Sequence, residues 1–464
     1  MQAVRQFINI FRIPDLRRKV FITLGLLALC RIGVYIPLPA VDTAALQEWF
    51  ARAQSGAGGR LLGMVNLFTG GALKRGAIFG LGIMPYISAS IIFQLLANAV
   101  PRLERLRKEG ESGRRKLNQY TRIATVFICL FQGIVFTQGV LGPVMPEAAT
   151  ESWFYSMMYT LTNGFMLMAG TMFLMWVGEQ IDEHGIGNGI SLIIMTSILS
   201  RLPGGISTFA WNLSASGSRQ NAVLTVMVMV AIFVAIVVAV VYITQGERRV
   251  PIQQAKHVRG PKVYGGQKHY LPLKVNQAGV IPIIFAQALL MFPATISQSL
   301  IQGTGLEQGS ILYGIFSYIR EVTMPQGDLT LTYVLIYGAL IFFFCYFWTA
   351  VTFNPQEMSE NLKDHGSFIP GIRPGERTAS YLEGIMNRVT MAGSFFLITI
   401  ALMPMFISAA MGVRGQIAGF YGGTSILIVV GVTLDLVRRI NNHLEMRRYS
   451  GFASGRGTRR RRRR

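Results

Sequence analysis

Apolar runs long enough to cross a bilayer recur along almost the whole chain, and no other feature restricts the fold so severely. A membrane helix needs about 20 largely apolar residues. Ten runs qualify, over residues 20–37, 77–99, 121–141, 153–176, 186–202, 222–243, 277–297, 330–353, 385–406 and 424–437. They are continuous, not alternating, which predicts helices rather than the strands of a barrel. The fifth and tenth are short and flanked by glycine. In lipid a segment must satisfy its own backbone polar groups, so the expectation is an all-α polytopic membrane protein with ten transmembrane helices.

Composition points the same way. Of 464 residues, 51% are hydrophobic and only 14% charged, against about 25% charged in a soluble domain. The charges are unbalanced: 44 Lys+Arg against 22 Asp+Glu give a net +22. Basic residues crowd the N-terminal arm (Arg5, Arg12, Arg17, Arg18, Lys19), the loop after the second run (Arg102 to Lys116) and the loop after the sixth (Arg248 to Lys274). The tail is the most basic of all. The intervening loops are nearly free of such residues, apart from Arg52, Arg60, Lys74 and Arg75 after the first run. The positive-inside rule therefore predicts that both termini are cytoplasmic, which requires an even number of spans. The first apolar run lacks a small-residue cleavage site and is expected to be retained.

Two cytoplasmic loops depart from this pattern. Residues 179–184 (EQIDEH) are acidic, and residues 354–383 mix both signs. A loop of the latter length is either a docking surface or a solvated connector.

Signals for catalysis are missing. There is no GxxxxGK[ST], HExxH or GxSxG motif, so neither nucleotide hydrolysis nor another enzymatic activity is expected. Cys30, Cys129 and Cys345 lie far apart in apolar runs, and the five histidines have no partner at metal-ligand spacing. No disulfide, metal or cofactor is predicted. Ionisable residues at membrane depth are scarce. Arg31 and Asp435 lie within runs, Arg122, Arg201 and Arg388 at run ends where they can snorkel. The remaining polar residues at depth, such as Gln94, Gln132, Asn163 and Gln287, are neutral. A proton- or sodium-coupled transporter usually needs a carboxylate near the midplane. Unwound carbonyls can bind sodium without one, so an ion-coupled secondary transporter stays as the alternative class.

Glycine and isoleucine supply the other clues. The stretch NLFTGGALKRGAIFGLGIMP precedes the second run and fits either a segment folding back into the membrane or an outer loop with a glycine hinge. Ile83 and Ile87 are four apart and share a helix face. With Ile194, Ile284 and Ile428 they could close a constriction by dewetting. Isoleucines facing lipid or a neighbouring helix are the ordinary alternative.

Several long segments, in order, resemble the SecY family, the pore subunits of the bacterial Sec protein-translocating channel (translocon). They are RIGVYIPLP, FTGGALKRGAIFGLGIMPYISASIIFQLL, GTMFLMWVGEQIDEHGIGNGIS, LPLKVNQAGVIPIIFA, FNPQEMSENLKDHGSFIPGIRPGERTA and GGTSILIVVGV. The likeness runs from about residue 13 to 439. It implies ten transmembrane helices in two inverted pseudo-symmetric halves, 20–202 and 222–437. An external linker, 203–221, would join them, with a cytoplasmic arm at 1–19 and a basic tail at 438–464. No internal sequence repeat marks that symmetry.

The resemblance also assigns roles. Ile83, Ile87, Ile194, Ile284 and Ile428 match the family's pore ring. Residues 64–75 match its plug helix, with Asn66, Phe68, Thr69, Gly70, Gly71 and Leu73. A lateral gate is implied between spans two and three and spans seven and eight. Ser88 and Phe292 match facing positions there, and Gln94 and Asn188 match polar positions near the seam. In the cytoplasmic loops 246–274 and 354–383, docking of the SecA ATPase and the ribosome, including its RNA, falls to Arg248, Arg249, Lys256, Arg259, Arg373 and Arg377. For Arg373 a local salt bridge to Glu376 or Asp364 is the competing reading. The implied partners are SecE-like and SecG-like membrane subunits, SecA, the ribosome, signal peptides and nascent chains, and membrane lipids. The implied location is the bacterial cytoplasmic (inner) membrane, and the implied activity is a passive protein-conducting pore. Two features depart from the family: the tail ends SGRGTRRRRRR, and His184 stands where a basic residue is expected before GIGNG. The arginine run suits either ribosomal RNA and anionic lipid or a solvated disordered tail.

Overall fold

The computed structural model describes residues 13–39, 41–55, 59–144, 152–201, 203–204, 219–254, 257–259, 262–264, 268–277, 279–303, 310–323, 330–410 and 423–460. All ten apolar runs lie at least partly in helices: α1 (Pro14–Gly33), α4 (Met84–Ala99), α6 (Glu111–Phe136), α7 (Trp153–His184), α8 (Gly189–Leu199), α9 (Arg219–Gln245), α10 (Ile281–Gly303), α12 (Leu331–Thr352), α14 (Glu376–Ala410) and α15 (Gly423–Arg460). Between them lie α2 (Thr43–Ser55), α3 (Gly59–Phe68), α5 (Pro101–Lys108), α11 (Ile311–Thr323) and α13 (Pro355–Asp364). Among the described residues, α6, α7, α12 and α14 are each long and apolar enough to cross a membrane, and a fifth span results if the bent pair α4–α5 counts as one.

Helix α6 packs chiefly through small and polar residues. Along α6 the buried residues are small or polar, Gly113, Thr121, Thr125, Cys129 and Gly133, until Phe136 at its end. Its exposed stripe is Ile123, Phe127 and Phe131. Small residues let helices approach, while large apolar ones face a solvent as apolar as themselves. The buried hydroxyls are satisfied locally: Thr121 donates to the Leu117 carbonyl (3.0 Å) and Thr125 to that of Thr121 (2.7 Å). Between α7 and α8 a Cβ on Gly189 would collide with the Gly178 carbonyl, so glycine permits that contact. These observations make the chain an all-α polytopic membrane protein.

Several expectations are corrected. Residues 179–184 are no loop, because α7 continues without a break to His184. The second span begins at Met84, not residue 77, where Pro85 occupies its first turn. It ends at Val100, held extended before Pro101, and the chain bends by 101° into α5. The segment assigned to a plug helix is helical only through Phe68. Gly70, Gly71, Gly76 and Gly82 all adopt positive φ, and residues 69–83 run as consecutive turns. Helix α8 is about 16 Å long at 1.5 Å per residue, shorter than the roughly 30 Å hydrocarbon layer. It packs against α7 and α15.

The two long loops at 246–274 and 354–383 have structure of their own. Strands β1 (Glu247–Gln254) and β4 (Lys268–Lys274) pair antiparallel, with Glu247 opposite Lys274 and Gln253 opposite Lys268. The short β2 (His257–Arg259) and β3 (Lys262–Tyr264) form a second hairpin between them. Strand β5 (Ser367–Phe368) adds to the free edge of β1, giving the order β4-β1-β5. A small core of Val250, Leu273, Phe353, Ile369, Leu382 and Met386 joins the loops. Most of the linker 203–221, together with residues 1–12, Lys256 and residues 461–464, lies outside the described residues.

Candidate functional site

The five isoleucines are carried by four helices. Ile83 is the N-cap residue of α4 and Ile87 follows one turn later. Ile194 lies in α8, Ile284 in the first turn of α10, and Ile428 near the start of α15. All five belong to the main buried apolar core, which also takes in residues as far apart in the chain as Leu27, Tyr337 and Leu402. Ile428 is 0% exposed, and the least buried of the five, Ile284, is 7% exposed. Helix α4 packs on α10, and α8 packs on α15. The cluster is therefore built by elements from both ends of the chain, and none of the five isoleucines lies on the outer circumference.

The segment expected to act as a plug packs against this cluster. Leu67, Phe68 and Ala72 are members of it, and α3 contacts both α8 and α10. Asn66, Phe68, Thr69, Gly70, Gly71 and Leu73 are all buried. Leu73 belongs to a second cluster with Leu46, Phe50 and Leu141. Buried polar groups fold the turn onto itself. The Lys74 amide donates to Asn66 Oδ1 (3.2 Å), the Leu73 amide to Thr69 Oγ1 (3.4 Å), and Thr69 Oγ1 to the Asn66 carbonyl (3.3 Å). Such bonds let a polar, glycine-rich segment remain inside an apolar body.

The residues expected near the gate divide into several groups. Ser88 is half-buried on α4. Gln94 Nε2, one and a half turns further on, donates to Ser90 Oγ (3.1 Å). Asn188 is exposed and caps α8, accepting from the Ser191 amide (3.0 Å). Phe292 lies within α10, and its side chain is outside the described residues. Helix α10 packs against α4, α6 and α12.

Arg248 and Arg249 project from β1, while Arg373 and Arg377 are exposed beyond β5, so one sheet joins both sets. Arg259 lies in β2, with its side chain outside the described residues, as Lys256 is entirely. Arg373 makes no ion pair with Glu376 or Asp364 among the described residues. Its turn is held by Thr378 Oγ1, which donates to the Arg373 carbonyl (2.9 Å), and by Ser359 Oγ, which donates to that of Gly375 (2.6 Å). At the base of the hairpin, burial first and then the Arg438 charge pull the Lys274 ammonium below the ordinary lysine range; Asp435 and Glu247 oppose them.

Other pairings escape sequence reasoning. Arg122 on α6 grips Glu179 on α7 with both ends of its fork (2.9 and 2.7 Å). The Gly189 amide, at the start of α8, donates to Asp182 Oδ1 (2.8 Å). Arg122 and Glu179 are 57 positions apart, and no local pattern links them. Asp435 pairs with Arg439 one turn on (2.8 Å). No group of His, Cys, Asp or Glu suited to a metal ion exists among the described residues.

The family model SecY matches residues 77–437. The chain is 42% identical over 450 residues to the protein translocase subunit SecY of Streptomyces scabiei, covering 96% of this chain and 99% of the relative. It is 41% identical over 435 residues to that of Escherichia coli K12, covering 94% and 93%. A solved structure of a protein-conducting channel superposes with a TM-score of 0.62 at 17% identity, covering 92% of both chains; that likeness concerns the fold.

Proposed function

The chain belongs to the SecY family, and from that premise we propose that it is the central pore-forming subunit of a protein-conducting channel in the bacterial cytoplasmic membrane. It passes unfolded secretory polypeptides and performs no catalytic step. The observation supporting this reading is that Ile83, Ile87, Ile194, Ile284 and Ile428, carried by four helices from both ends of the chain, are all buried in the main apolar core. A collar of apolar side chains can close around a chain of any sequence because it makes no specific polar contact. Being apolar, it also holds back ions by dewetting.

The finer architecture follows. Ten spans are arranged in two inverted halves, residues 20–202 and 222–437, with both termini in the cytoplasm. Residues 64–75 act as a withdrawable plug; the glycine turns at 69–83 serve this role better than a continuous helix, because positive-φ glycines hinge without steric cost. The lateral gate opens along the contacts of α10 with α4 and α6, where Ser88, Gln94, Asn188 and Phe292 lie near the seam. A strongly apolar segment gains about 0.3–0.6 kcal/mol per Leu or Ile on entering lipid, and that sum over about 20 residues decides whether it leaves sideways.

The pore is passive. SecA or a translating ribosome drives it by docking on the basic face of Arg248, Arg249, Lys256, Arg259, Arg373 and Arg377. SecE-like and SecG-like subunits complete the complex. Reconstitution tests the whole reading. Vesicles containing the chain, these partners, ATP and a signal-bearing preprotein are expected to accumulate protease-protected product. No protection, under conditions where an established translocon gives it, would refute the proposal.

A further inference from the structure

Three arginines from separate parts of the chain converge on one turn. Arg31 lies in the last turn of α1, Arg201 just after α8, and Arg75 in the turn-rich segment after α3. Arg31 Nη1 is 3.5 Å from the Gly70 carbonyl oxygen. A Cβ on Gly70 would come within 2.5 Å of that same Nη1, and one on Gly71 within 2.8 Å of Arg201 Nη1. Glycine at φ +64 and +94 thus lets two guanidinium groups approach the turn where no side chain would fit. The Arg75 guanidinium carbon lies 4.1 Å from the centroid of the Tyr35 ring. Its charge acts on both Arg31 and Arg201.

No carboxylate among the described residues pairs with any of the three. Arg75 Nη1 is buried and has no acceptor among them. Like charges brought together at the edge of an apolar body repel, and a buried guanidinium nitrogen without an acceptor carries a desolvation penalty. One group relieves both: a small oxyanion, whose oxygens match the planar forks of several arginines at once. We propose that Arg31, Arg75 and Arg201 form an oxyanion site at the Gly70–Gly71 turn that takes a phosphate group, free or as a phospholipid headgroup. Its occupant ties the ends of α1 and α8 to the turn. The site rests on this geometry and not on the role proposed for the turn, and binding is read without any transport assay.

The full chain in phosphatidylcholine nanodiscs is titrated with inorganic phosphate and, separately, with sodium chloride at equal ionic strength, while thermal unfolding is followed. A saturable rise in melting temperature with phosphate, beyond that with chloride, assigns the site to the free anion. A rise seen only when phosphatidylglycerol replaces part of the phosphatidylcholine assigns it to a headgroup. In either case Arg75→Gln and Arg31→Gln are expected to weaken the response about tenfold or more, and Lys74→Gln is expected to leave it intact. The proposal is overturned if the parent chain responds to neither phosphate nor phosphatidylglycerol beyond the chloride control. It is also overturned if both arginine variants respond like the parent.

Discussion

Replacing Ile284 or Ile83 with asparagine tests the collar. Both side chains are buried, at 7% and 4% exposure, in a cluster whose nearest members are apolar. An amide placed there in the closed, dry state loses its hydrogen bonds to water. That loss costs about 1–3 kcal/mol on the scale of protein substitutions. In an open, wet constriction the same amide is solvated and the cost vanishes. The closed state is thus destabilised relative to the open one by that difference, which shifts the equilibrium by about 5- to 150-fold. Planar-bilayer recording of the purified complex is expected to show open events more frequent by that factor in each variant, with Ile284→Leu close to the parent. If both asparagine variants recorded like the parent, the isoleucines would not be the seal, and the dewetting argument would fail with them.

Further consequences can be checked separately. Gly71→Ala puts a side chain at φ +94 and within 2.8 Å of Arg201 Nη1, a strain of about 1–3 kcal/mol; the melting temperature is expected to fall and resting ion leak to rise. Arg122→Ala removes both bonds to Glu179, and since the pair is partly exposed, thermal unfolding is expected to show a loss of about 1 kcal/mol or less. Arg373→Ala and Arg377→Ala alter exposed side chains, so co-sedimentation with SecA or ribosomes is expected to weaken while thermal stability is unchanged.

What could be read in the sequence depended on the range of the physics involved. Spans were legible because the hydrophobic requirement of a bilayer acts over 20 contiguous residues, and α6, α7, α12 and α14 fall where the runs lie. Their ends were less so. Backbone helicity does not stop where hydropathy does, so α7 carries the acidic EQIDEH beyond the apolar run as a continuation of the helix. The pairing of β1 with β5 joins residues more than 100 positions apart, and nothing local in SF or QQ announces it. Periodicity placed Ile83 and Ile87 on one face, but it could not tell a face turned to lipid from one turned inward. Ile194, Ile284 and Ile428 could be named as possible companions from the sequence, but favouring a ring over lipid-facing positions needed the family resemblance. The arginines around Gly70 were visible singly, as a basic exception among neutral loops; their convergence emerged only from the fold.

Crosslinking to a stalled chain is the most direct test of the central claim. Cysteine is introduced singly at positions 83, 87, 194, 284 and 428 in a background where the buried Cys30, Cys129 and Cys345 are replaced, and a preprotein bearing one cysteine is arrested in transit. Disulfides from all five positions to the same short stretch of the arrested chain are the predicted result. Efficient crosslinks from the outward Phe127 position, with none from the five, would contradict it.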